Sequence, residues 1–125
     1  MARDQVRDGP AAILQKEAVL AWLFLFVAGL LEVVWAYAMK LSDGFSKPMP
    51  SIVTIVAMVF SFGLLSLAMR SLPLGTAYTI WTGIGAVGAF VVGIVVLGEA
   101  LTPMRVLAAV LIVSGLVLMK VSSPA

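Results

Sequence analysis

The chain has 125 residues, of which 62% are hydrophobic and 11% charged, whereas a soluble domain carries about a quarter charged residues. A water-soluble globule this small could not bury that much apolar surface, because small domains bury the smallest fraction of it. The net charge of +2 is too small to indicate a nucleic-acid-binding protein, and the sequence contains neither cysteine nor histidine. Composition therefore predicts a membrane protein without a metal or cofactor, since zinc sites, haem sites and Ser-His-Asp catalysis depend largely on cysteine and histidine side chains.

Four apolar stretches dominate the chain after a polar beginning. Residues 1–18 mix both charge signs around Gly9 and Pro10, which predicts a polar or interfacial N-terminal extension. The apolar stretches are residues 19–40, 51–70, 76–97 and 104–120. Because crossing a bilayer core of ~30 Å takes roughly 20 helical residues, they predict four transmembrane helices. These form one all-α domain over residues 19–121, followed by a short tail, 122–125.

The basic residues flanking these stretches give almost no preferred orientation. An even number of spans places both termini on one side, together with the second connection. The basic residues are Arg3, Arg7, Lys16, Arg70 and Lys120 on that side and Lys40, Lys47 and Arg105 on the other. Since the balance of Lys and Arg sets orientation, this weak bias predicts insertion both ways up. We expect two copies to pair as an antiparallel, dual-topology homodimer.

Glu32 is the one acidic residue inside any of the predicted spans. A carboxylate in hydrocarbon is costly, and desolvation disfavours its charged form. Such a group can hold a proton in one state and release it when a cation arrives. Trp35 lies one helical turn after Glu32 and Gly29 one turn before, so the three share a face, and a π-face beside a carboxylate suits a cation. The alternatives are a protonated, purely structural Glu32 and an interfacial Trp35.

The later spans add further candidates. Ser61 lies among apolar residues of the second span, and its hydroxyl could bond Glu32 or its own helix. Tyr78 and Trp81 lie three residues apart on one face of the third span, which suits either a site or ordinary packing. The fourth span offers instead a strip of small residues, which predicts helix packing across a dimer. The strip consists of Ala108, Ser114 and Gly115.

Three glycines of the third span, Gly83, Gly85 and Gly88, have the spacing G-x-G-x-x-G. A dinucleotide-binding fingerprint requires a preceding strand and a βαβ unit. Here the glycines lie inside an apolar helix, so we reject nucleotide binding. Glycines in such a helix permit close approach of a neighbour. They also ease a kink, and we interpret them as a hinge of the kind that a carrier needs.

From about Ala21 to Lys120 the chain resembles the small multidrug resistance family of four-helix exporters. The resemblance is carried by "GLLEVVWAYAMKLSDGF", "PSIVTIVAMVFSFGLLSLAMRSLPLGTAYTIWTGIGAVG" and "GEALTPMRVLAAVLIVSGLVLMK". It implies an antiparallel homodimer in a bacterial-type inner membrane. It also implies exchange of protons for cations through one membrane-embedded glutamate per subunit, which is Glu32 in this sequence.

Two branches share this plan, and the residues resemble the branch that exports guanidinium. The drug-exporting branch usually has alanine at the position of Gly29 and lacks a tryptophan at that of Trp35, and "WTGIGAVGA" also resembles the guanidinium branch. The implied substrate site comprises Gly29, Glu32, Trp35, Ser61, Tyr78 and Trp81. Lys120 matches a lysine often seen at that place in this branch.

The expected function is therefore a proton-coupled antiporter for guanidinium and small substituted guanidiniums, with proton and substrate competing for Glu32. Guanidinium is planar and rich in N–H donors, and carboxylates accept such groups through parallel hydrogen bonds. Two alternatives remain open. One is a family exporter of quaternary ammonium or other lipophilic cations, and the other is a non-transporting membrane interaction subunit. An enzyme is disfavoured because the sequence offers no nucleophile–base pair.

Overall fold

The computed structural model describes the backbone of residues 2–123 and the side chains of residues 9–123, so that residues 1, 124 and 125, with the end of the expected tail, lie outside the described residues. This part of the chain forms four α-helices. They are α1 (Ala2–Leu41), α2 (Pro48–Ala68), α3 (Leu74–Val95) and α4 (Pro103–Ser122). All four are long and apolar enough to cross a membrane. The prediction of an all-α architecture with four membrane-spanning helices is confirmed.

The first helix includes much of the polar N-terminal extension. Gly9 interrupts α1 with a non-helical backbone (φ 76°, ψ 169°), in a region that glycine adopts without steric cost. Pro10 follows inside the helix, where its fixed φ suits the first turn after the break. From there α1 continues to Leu41, and Gly9–Leu41 is long and apolar enough to cross a membrane. The second half of the extension is thus continuous with the first span.

Short connections join the helices, and the first of them is a turn that follows α1 directly. After α1, Asp43, Gly44 and Phe45 all have positive φ values. Ser42 stabilises this turn, since its hydroxyl donates to the carbonyl of Met39 (2.6 Å) and accepts from the backbone N–H of Phe45 (3.1 Å). The helix α2 starts at Pro48, before the apolar stretch begins, because proline is favoured in a first helical turn.

The connection between α3 and α4 is organised by Arg105. Its Nη1 donates to the carbonyl of Ala100 (2.7 Å), and its guanidinium lies 5.3 Å from the centre of the Phe90 ring. Its Nη2 is 4.0 Å from Oε1 of Glu99, and both side chains are partly exposed. Thr102 caps α4 by accepting from the backbone N–H of Arg105 (3.2 Å). These contacts place Arg105 and Glu99 at the surface end of the helix pair.

The core lies between α1, α2 and α3. The helix α1 packs extensively against α2 and α3, whereas α4 packs beside α3. Fully buried members of the core are Leu25 and Ala28 of α1, Ala68 at the end of α2 and Ala77 of α3. No residue of α4 is buried among the described side chains. One long apolar helix is therefore left with most of its surface uncovered by the chain itself.

Candidate functional site

Ser61 joins three helices through one hydroxyl. It is fully buried in α2, donates to the backbone carbonyl of Ala28 in α1 (2.7 Å), and accepts from the indole Nε1 of Trp81 in α3 (3.0 Å). The sequence left open whether Ser61 bonds Glu32 or its own helix, and its hydroxyl proton instead goes to a carbonyl of the neighbouring helix. The bond fixes the Trp81 indole, because a buried N–H that loses its acceptor costs free energy.

The Ser61 bridge gives a direct stability prediction. Ser61→Ala leaves the indole N–H of Trp81 without its acceptor, and we expect the free energy of unfolding to fall by about 1 kcal/mol. Thermal or denaturant unfolding of the purified protein in detergent micelles measures this change. The matched control is Ser66→Ala, an exposed serine on the same helix. Equal unfolding midpoints for the two variants would contradict the bridging role.

Glu32 lies at the contact between α1 and α3, half-buried, and its carboxyl group packs directly against Gly85. A Cβ atom at Gly85 would overlap that carboxyl group. Within residues 9–123, the Oε2 atom of Glu32 is buried and has no hydrogen-bond partner. A buried acceptor without a partner is uncommon and calls for an explanation. The recess formed by Gly85 therefore holds a carboxyl group whose Oε2 atom is able to accept a further hydrogen bond.

The glycines predicted as a hinge each meet a specific neighbour. A Cβ at Gly85 would overlap Glu32, one at Gly88 would overlap Val33, and one at Gly83 would overlap Leu116 of α4. The helix α3 runs without interruption from Leu74 to Val95. In this conformation the glycines let α1 and α4 approach α3 closely.

Gly29 contributes to the same helix contact from the α1 side. A Cβ there would lie 2.6 Å from Cγ2 of Ile84 in α3, which is too short for two carbon atoms. The space beside Gly29 is thus filled by Ile84, and the space for the carboxyl group comes from Gly85. Together they bring the two backbones close enough for Glu32 to lie against α3.

Four aromatic rings from three helices form a continuous series. Phe62 of α2 lies edge-on to Trp35 of α1 (centroids 6.3 Å apart) and to Trp81 of α3 (5.6 Å). Tyr78 packs tilted against Trp81, also at 5.6 Å. The structure thereby brings the predicted aromatic residues together, and Trp35 and Trp81 meet through the ring of Phe62, which was not among the predicted site residues. Phe62 follows Ser61 directly, but an apolar residue in an apolar span carries no distinguishing signal.

Trp35 also has unused hydrogen-bonding capacity. Its indole Nε1 is buried and, among the described side chains, lacks a partner. It lies one turn from Glu32 on α1, while Trp81 lies one turn before Gly85 on α3. The carboxyl group is therefore placed at the level of two indole rings. A cation in this region would meet one carboxyl group and aromatic surfaces, a combination that suits a partly desolvated positive charge.

The end of α4 contacts the middle of α1. The Lys120 ammonium lies 4.4 Å from the centre of the Trp22 ring, a cation–π contact. The small residues Ala108, Ser114 and Gly115 are exposed, and a Cβ at Gly115 would meet nothing within 4 Å. The predicted packing strip is therefore exposed on the surface of the four-helix domain.

These features define a multi-pass helical membrane protein with an embedded carboxyl group among aromatic rings. The family model described as Small Multidrug Resistance protein matches residues 20–122, and the chain belongs to the small multidrug resistance family. It is 57% identical over 104 residues to the guanidinium exporter of Salmonella typhimurium. It is 54% identical over 104 residues to those of Escherichia coli K12 and Citrobacter freundii. Each alignment covers 83% of this chain and 99% of the relative. The resemblance to this family is confirmed.

Proposed function

We propose that the protein exports guanidinium and small substituted guanidiniums across a bacterial inner membrane in exchange for protons. Proton and substrate compete for Glu32. The observation that carries this proposal is the buried, unpartnered Oε2 of Glu32 in the recess at Gly85. A carboxylate in that position can accept N–H donors from a planar cation, or hold a proton when the cation leaves. The names of the relatives, guanidinium exporters, support the choice of substrate.

The aromatic rings limit the shape of the cation. Trp35, Phe62 and Trp81 form a connected wall, and the Trp81 ring is held by Ser61. A small planar ion offers donors to the carboxylate and its faces to the rings. A quaternary ammonium ion has no N–H donor and therefore leaves the Glu32 oxygens without hydrogen bonds. The site residues of the proposal are Gly29, Glu32, Trp35, Ser61, Tyr78 and Trp81, with Phe62 and Gly85 added.

The working unit of the proposal is an antiparallel homodimer. The uncovered α4, with its strip of small residues, supports pairing through that helix because small residues allow close helix approach. Two subunits of opposite orientation would place two Glu32 side chains in one membrane-embedded site. Alternating access then requires a rearrangement of the helices around this site. The glycines of α3, Gly83, Gly85 and Gly88, are the proposed points of bending.

A titration tests the competition between proton and substrate. Guanidinium added to the purified protein should displace protons from Glu32. Its apparent affinity should fall as the pH is lowered, because the protonated carboxyl group cannot accept the cation. Calorimetry in buffers of different ionisation enthalpy measures the released protons. Binding without proton release would contradict the exchange mechanism. Tighter binding of tetraethylammonium than of guanidinium would favour the quaternary ammonium alternative. Absence of saturable binding would favour an interaction subunit.

A further inference from the structure

A groove separate from the Glu32 region lies between the middle of α1 and the end of α2 with the connection that follows it. Its volume is about 320 Å³. The residues that line it and bear on its chemistry are Glu17, Leu20, Phe24, Leu67, Arg70 and Ser71. Because α1 enters the membrane where α2 leaves it, the three polar residues lie at the membrane surface. The apolar residues of α1 lie one to two turns deeper.

Opposite charges line the mouth of this groove without neutralising each other. Glu17 and Arg70 are both exposed. Among the described side chains, the ion pair within 4.0 Å is that of Arg105 with Glu99, and neither groove residue takes part in one. A carboxylate and a guanidinium on one groove, each with free hydrogen-bonding capacity, are complementary to a zwitterion. The anionic group of such a ligand pairs with Arg70 and its cationic group with Glu17.

The floor of the groove is apolar and accessible from the surrounding lipid. Leu20 is 50% exposed and Leu67 is 43% exposed, and the partly buried Phe24 lies one turn beyond Leu20. In a chain that spans the membrane, these side chains contact acyl chains rather than water. The groove therefore combines a charged end at the membrane surface with an apolar end in the hydrocarbon, which is the polarity of one phospholipid molecule.

We propose that this groove binds a phospholipid with a primary ammonium headgroup, as in phosphatidylethanolamine. Its phosphate accepts from the Arg70 guanidinium and the Ser71 hydroxyl, its ammonium donates to the Glu17 carboxylate, and an acyl chain lies along Leu20 and Leu67. Glu17 precedes the segment matched by the family model, which begins at residue 20. The N-terminal extension thus supplies the acidic half of the site and makes it selective for an ammonium that can donate hydrogen bonds.

Native mass spectrometry of the full chain tests this selectivity. The protein is exposed in detergent to equal amounts of phosphatidylethanolamine, phosphatidylcholine and phosphatidylglycerol with identical acyl chains. We expect retention of the ethanolamine lipid to exceed that of the choline lipid by about threefold to tenfold, since the quaternary ammonium has no donor for Glu17. Equal retention of these two lipids, preferential retention of phosphatidylglycerol, or no retention of any lipid would each overturn the proposal.

Variants separate the two halves of the site. Glu17→Gln should reduce the preference for ethanolamine over choline while total retention persists, since glutamine keeps one acceptor oxygen but no charge, and Glu17→Asp should preserve more of that preference. Arg70→Gln should lower retention of all three lipids. Glu99→Gln, which removes a partly exposed acid outside the groove, is the matched control and should behave as the unaltered chain. An undiminished preference in Glu17→Gln would contradict the assignment. Because the readout is lipid retention, its outcome is independent of guanidinium transport.

Discussion

Replacing Glu32 with glutamine should reduce proton-coupled guanidinium transport by at least about a hundredfold, since the variant has no carboxylate charge and no exchangeable proton, and keeps only one acceptor oxygen for the cation. Glutamine has nearly the same volume as glutamate, so it fits the recess at Gly85. It cannot carry a negative charge or exchange a proton. The variant therefore prevents binding of the proton and weakens binding of guanidinium at this position, while the packing of α1 against α3 is kept.

Proteoliposomes with an imposed pH gradient provide the measurement. Uptake of labelled guanidinium is followed with the gradient present and after it is collapsed. The matched control is Glu99→Gln, because Glu99 lies in the α3–α4 connection beside Arg105 and its side chain is 43% exposed. The control should transport normally. Gradient-driven uptake that persists in Glu32→Gln would contradict the proposed competition of proton and guanidinium for Glu32.

The four-helix architecture could be predicted from the sequence because hydropathy and length alone specify it. Apolar stretches of sufficient length in a bilayer leave the backbone few options other than helices, since every backbone polar group must be paired within the segment. The helix ends depend instead on local backbone preferences, such as those of proline and glycine. The helix α2 begins at Pro48, ahead of the apolar residues, and α1 extends back beyond its apolar stretch, through the break at Gly9, to Ala2. Neither boundary follows from hydropathy.

The sequence identifies the chemically unusual residues of the candidate site, but it does not predict which groups they contact. Glu32 could be selected because a carboxyl group in an apolar span is energetically costly. The partner of Ser61, the carbonyl of Ala28, depends on the register between α1 and α2, about which a single sequence carries little information. The same applies to Phe62, whose two ring contacts cross helix boundaries. Sequence thus indicated the unusual groups, and tertiary packing decided what each one touches.

The contact of Gly85 with the Glu32 carboxyl group also depends on tertiary packing, and substitution of Gly85 is expected to have a large effect on binding. Gly85→Ala should weaken guanidinium binding by tenfold to about a hundredfold, the loss of one charge-assisted hydrogen bond at about 1.5–3 kcal/mol. The added Cβ would overlap the Glu32 carboxyl group. That group is the far end of a flexible side chain, so it can rotate away while the helices keep their positions. The carboxylate then leaves the place from which it accepts the cation.

Two measurements distinguish this displacement from a general loss of structure. Guanidinium affinity is obtained by calorimetry, and the unfolding midpoint is determined in the same detergent. Gly75→Ala on the same helix is the matched control, since a Cβ at Gly75 meets nothing within 4 Å, and it should preserve affinity.

Gly88→Ala should behave differently from both Gly85→Ala and Gly75→Ala. Its Cβ would overlap Val33, whose branched side chain cannot rotate away as Glu32 can, so its unfolding midpoint should fall. Normal affinity in Gly85→Ala would show that the recess at Gly85 does not position the carboxylate. A fall in the midpoint as large as that of Gly88→Ala would assign Gly85 to helix packing alone.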